Sequence, residues 1–163
     1  MPGISVAAGP AGATVWQQRC ATLQAMGLLW RAQFLARYVP MSRWRAGLGE
    51  VVEGGIATTQ PASDQEMRVA SAHARRIVRA ASRLPREPKC LAQAMALQWL
   101  LIRHGLRPQL VLAMDRRDRD AAHGYHAWVE LDGQMLIGQC QRGDYHPIVA
   151  LVPAGDHAGA GTP

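Results

Sequence analysis

The sequence predicts an α+β fold, with helices in its first two thirds and an antiparallel sheet after them. Three observations lead there. Apolar residues recur at helical spacing up to about residue 105. From residue 108 the period drops to two. Between two alternating runs stands Asp132-Gly133, the strongest two-residue hairpin signal.

Residues 1–13 are rich in Gly, Ala and Pro and read as flexible. Residues 14–39 read as a helix with a broad apolar face that includes Leu28, Leu29, Phe34 and Leu35, and Pro40 ends it. A helix bearing Trp and Arg can pack on its own domain, or touch a partner or a membrane surface. Residues 47–62 read as a loop or linker. A helix then starts at a capping box, Ser63 with Glu66, and Pro85 stops it. The next helix covers about residues 89–104, with Gly105 just past its end. Leu91, Ala94, Met95, Leu97, Leu100, Leu101 and Ile102 nearly encircle it, so it should be buried. Strands are expected over 108–114, 125–131, 134–140 and 146–152. Residues 115–124 form a charged loop between the first two, and 153–163 a disordered tail. The expected organisation is a flexible N-terminus, amphipathic helix and linker (1–62), a core domain (63–152) and the tail (153–163).

The chain carries a net charge of +6, and Lys89 is its only lysine. A GC-rich genome would give that bias, while the functional reading is an acidic or polyanionic partner. The basic stretches lack interleaved aromatics, which argues against nucleic acid. Three cysteines (Cys20, Cys90 and Cys140) without a CxxC pattern argue against a disulfide framework or structural zinc and fit a reducing cytoplasm. No cofactor and no metal is implied. No signal peptide is recognisable, and no apolar run approaches the ~18 residues of a membrane span.

Cys90 stands where a proline-punctuated loop, "RLPREPKC", becomes the apolar helix. A thiol in a first helical turn faces unpaired N–H groups and the positive end of the macrodipole. Such thiols are depressed to anywhere from about 3.5 to 7.5. The alternative is a small hydrophobe filling a gap. A nucleophilic thiol needs a base, and His126, near the start of a strand, is the best candidate; a lone strand histidine can also be purely structural. His104 lies about 14 residues along the same helix, ~21 Å away. His123 and His146 fall in loops, His73 on the Arg-rich helix and His157 in the tail. For the group orienting the imidazole, counting outward from Leu131 opposite Gln134 puts His126 opposite Gln139. Asp132 is the acidic alternative, ~20 Å away in an ideal hairpin, and Asp144 could fold back.

The stretch "RLPREPKCLAQAMALQWLLIRHGLRPQLVLAM", followed by "HAWVELDGQMLIGQ" and "YHPI", resembles the leader peptidases of lasso-peptide biosynthesis. The resemblance covers about residues 64–152. It implies a transglutaminase-like, papain-related core, with Cys90 as nucleophile and His126 as base. It further implies cleavage of the leader from a ribosomally made precursor. The partners implied are the precursor leader, a separate leader-recognition protein and an ATP-dependent macrolactam cyclase. One departure stands out: the family's Asp on the following strand falls at Gly138 here, with Gln139 the nearest substitute. Three readings from other classes remain. They are a non-catalytic interaction module of the same fold, a thiol acyltransferase and a metal site built from Cys90 and the histidines.

Overall fold

The computed structural model describes residues 15–54, 61–117 and 124–154. The expectations for residues 1–13 and for the tail beyond Ala154 fall outside them. Among the described residues the order is α1 (Val15–Tyr38), α2 (Met41–Trp44), a 3-10 turn, β1 (Glu50–Glu53), α3 (Asp64–Ala81), α4 (Cys90–Arg103), β2 (Gln109–Asp115), β3 (Tyr125–Leu131), β4 (Gln134–Ile137), a second 3-10 turn (Arg142–Asp144) and β5 (Tyr145–Val152). The strands form one antiparallel sheet in the order β1-β5-β2-β3-β4. The α+β class is as expected.

One strand comes earlier than the two-period pattern shows. Residues 47–62, read as loop or linker, contain β1, which pairs along β5. Its four residues, Glu50, Val51, Val52 and Glu53, are mostly exposed, so no burial-driven alternation marks it. Tertiary pairing makes it a strand. Gly49, just before it, has φ 126°, and a Cβ there would lie 1.9 Å from the Val152 carbonyl oxygen. Only glycine lets the two backbones approach so closely.

α4 is the centre of the molecule. Its Met95, Leu97, Leu100 and Leu101 pack with Leu29 of α1, Ile77 of α3 and Leu110 and Leu151 of the sheet in one core. All eight are at most 2% exposed, which matches the all-round apolar pattern of that helix. Fully buried Gln98 ties it to the sheet. Its Nε2 donates to the carbonyls of Leu151 (2.9 Å), Leu48 (3.1 Å) and Pro108 (3.3 Å). These carbonyls sit where β1, β2 and β5 meet the helix layer, so the two N–H bonds of one side chain are shared among three buried acceptors. α1 packs on both α3 and α4 through Ala25, Leu28, Leu29 and Ala32.

The β3–β4 hairpin turns on Asp132 (φ 48°) and Gly133 (φ 71°), both in the left-handed region as a type I′ turn requires. Leu131 pairs with Gln134 and Glu130 with Met135, as the count outward predicts. The register then shifts, and Val129 pairs with Ile137. β4 ends there, three residues short of the expected Cys140.

Candidate active site

Cys90 is the first residue of α4. Lys89 is the N-cap, in extended conformation, and its side chain makes no capping hydrogen bond. No acidic residue lies in the first turn. The first N–H groups are therefore uncapped by any carboxylate or hydroxyl. The thiol is half-buried and free, as is that of Cys140, and Cys20 is free and exposed.

The helix packs on β3 and brings the thiol into interacting reach of His126. Burial alone would push the Cys90 thiol up. The interaction with His126, the backbone N–H groups of Ala127 and Leu91, and the charge on His126 outweigh it and bring the thiol below its ordinary value. His126 moves the other way. The interaction with Cys90 raises the imidazole, burial opposes this, and the Gly138 carbonyl adds to the rise. Each partner thus favours the charged form of the other, as in a coupled thiolate–imidazolium pair.

His126 Nε2 donates to the carbonyl oxygen of Gly138 at 2.9 Å. That leaves Nδ1 for the thiol. The orienting group is therefore a backbone carbonyl, placed at the position where the resembled family has Asp. Gly138 has φ 78°, and a Cβ there would lie 2.5 Å from the Ala127 carbonyl oxygen and 2.9 Å from Trp128 Cα. No side chain fits, but the backbone does. Arg142 holds the following segment down by donating to Glu130 Oε2 (2.7 Å) and to the Gly133 carbonyl (2.6 Å).

Neither expected third residue reaches the imidazole. The register shift removes Gln139 from the place opposite His126. It is exposed, and its Nε2 donates to the Met135 carbonyl at 3.1 Å. Asp132 sits in the distant turn and accepts from the Ala62 N–H at 3.3 Å. Asp144 pairs with Arg117 at 3.1 Å. His73 and His104 stack on each other, centroids 4.4 Å apart, and His146 is exposed on β5. His123 and His157 lie outside the described residues. Among the described residues no group of three or more His, Cys, Asp or Glu is placed to hold a metal ion.

Two aromatic residues given no role from sequence complete the site. Tyr145 packs against the imidazole at 5.1 Å and buried Trp128 lies at 6.2 Å. Gly138 had a signal: a glycine within a strand pattern marks a bulge or a close backbone approach.

The site thus sets a helix-borne cysteine against a strand-borne histidine on an antiparallel sheet. The profile of the transglutaminase-like superfamily matches residues 35–150. The chain belongs to the transglutaminase-like superfamily. No curated protein and no solved structure matches it. The matched region of this transglutaminase-like protein starts inside α1 and takes in β1 and both site residues.

Proposed function

We propose that this transglutaminase-like protein is a cysteine peptidase that removes the leader from a ribosomally made lasso-peptide precursor. The contact between Cys90 and His126, with the imidazole held by Gly138, carries the catalytic part. The resemblance of residues 64–152 to lasso leader peptidases carries the substrate.

His126 takes the thiol proton, and the Cys90 sulfur bonds to the scissile carbonyl carbon. The carbonyl electron pair moves onto oxygen, where the uncapped N–H groups of the first α4 turn are suited to receive it. On collapse the C–N bond breaks and the imidazolium proton passes to the departing amine, which is the new N-terminus of the core peptide. Water then attacks the thioester while His126 takes its proton, releasing the leader acid and restoring the thiol. The Gly138 carbonyl keeps the imidazole oriented through both steps, the part a side-chain carboxylate or amide plays in related triads. The freed amine is what a macrolactam cyclase joins to an Asp or Glu side chain. A separate recognition protein presents the leader, and the reaction takes place in the cytoplasm.

The intact Cys–His contact favours this reading over a non-catalytic interaction module of the same assembly. The test is mass spectrometry of precursor mixed with the neighbouring recognition protein and either wild type or Cys90→Ala. A leader fragment with wild type alone supports the proposal. Cleavage by well-folded Cys90→Ala would end the thiol mechanism, and binding without cleavage by either would favour the interaction module.

A further inference from the structure

α1 has two apolar faces. Ala25, Leu28, Leu29 and Ala32 are buried against α3 and α4. Trp16, Leu23, Trp30, Phe34 and Tyr38 are 73, 66, 63, 58 and 67% exposed. At ~100° per residue these five fall within an arc of roughly 80°, on the side away from the buried face.

The spacing along the helix is as informative as the arc. Exposed Cys20 and Gly27 fall on the same stripe, so positions 16, 20, 23, 27, 30 and 34 alternate steps of four and three. That is the a/d pattern of a helix that receives the knobs of another helix. Gly27 is a notch between Leu23 and Trp30, where a Cβ would meet nothing within 4 Å. Four rings of ~150–250 Å² apiece, each more than half exposed, put roughly 400–500 Å² of apolar surface into the stripe. This is the size of the largest apolar patch on a typical monomer, and such patches are often functional.

The charges select the occupant. α1 contains no Asp or Glu. Arg19 and Arg37 flank the stripe on one side and Arg31 on the other, by the same ~100° step. Arg31 is braced over the Trp99 ring at 5.0 Å, which fixes it at the seam's border. A second copy of α1 would bring arginine against arginine with no acid to answer it. A lipid surface would favour a broad apolar face on a helix whose opposite side is free and polar. Here the apolar arc is narrow and the opposite side is the protein core.

We propose that this stripe is the docking seam for an acidic amphipathic helix of a partner protein. The partner helix presents apolar heptad positions to Trp16, Leu23, Trp30 and Phe34, and acidic flanks to Arg19, Arg31 and Arg37. This inference stands apart from the Cys90 site and holds whether or not the protein is a peptidase.

The probe is a synthetic four-heptad peptide with Leu at a and d and Glu at e and g, measured by fluorescence anisotropy against the full chain. The control is the same peptide with Lys at e and g. Binding at least tenfold tighter for the Glu peptide is expected. Trp30→Ser/Phe34→Ser should weaken it at least tenfold, and Arg19→Glu/Arg37→Glu should reverse the preference. All four side chains are exposed, so thermal melts should not move. Sedimentation equilibrium and flotation with phosphatidylglycerol vesicles are run beside it. Failure of the Glu peptide to bind, equal binding of both peptides, a dimer abolished by Trp30→Ser/Phe34→Ser, or vesicle binding in place of peptide binding would each overturn the proposal.

Discussion

The N-termini of α3 and α4 are built in opposite ways. α3 is closed: Ser63 Oγ accepts from the Glu66 N–H at 3.3 Å, and Glu66 Oε2 accepts from the Ser63 N–H at 2.8 Å. The Ser63 hydroxyl, and then its backbone N–H, hold the Glu66 carboxyl below its ordinary value. α4 has neither device. A lysine with no capping bond stands at its N-cap, and Cys90 follows at once. One end spends its N–H groups on stability. The other leaves them for a thiolate and, in the proposed reaction, an oxyanion. A local sacrifice of capping energy, worth ~1 kcal/mol, is what a reactive helix end requires.

The comparison can be broken most severely at the pair itself. Cys90→Ala and His126→Ala should each lower cleavage by about a thousandfold or more while circular dichroism melts stay close to wild type. A variant retaining more than a tenth of the activity would remove that residue from the chemistry. Gly138→Ala comes next. The added methyl has no room and the φ is positive, so we expect a loss of about 2–4 kcal/mol in stability with a marked fall in turnover. Gln139→Ala and Asp132→Ala, by contrast, should change turnover by less than about threefold, because neither side chain orients the imidazole.

A subtler test is the pH dependence of Cys90 alkylation, read by site-resolved mass spectrometry. The thiol is depressed and the imidazole raised, so the acid limb should fall below the ordinary thiol value of 9.0. His126→Ala removes the main lowering contact, so the limb should move up in pH and labelling near neutrality should slow about tenfold. An unmoved limb would mean the helix end alone activates the thiol. Converting one helix end into the other sharpens the comparison further. Lys89→Asp should add about 0.5–1 kcal/mol of stability and raise the thiol through a neighbouring carboxylate, slowing alkylation. The smallest effect is expected at the closed end. Ser63→Ala should cost ~1 kcal/mol in a denaturant melt and leave cleavage unchanged.

Much of this was legible in the chain. The capping box at Ser63, the buried character of α4, the Asp132-Gly133 turn and the placing of Cys90 at a helix start all follow from local rules, and each is found where the pattern puts it. β1 was not legible, because an exposed four-residue strand carries no burial signal and exists only through β5. The hairpin count was right for the first two pairs and failed at the third, since one bulge displaces everything beyond it.

The sequence by itself determined which residues could do chemistry and on which kind of element each stands. Helix periodicity, turn chemistry and side-chain type are properties of a few neighbouring residues. The tertiary structure alone decided who faces whom. The orienting group of His126 is a main-chain carbonyl, identical in kind at every residue, and no residue type can announce it. It became an acceptor for the imidazole only because a glycine at positive φ let the backbone of Gly138 settle against Ala127 and Trp128, where no Cβ fits.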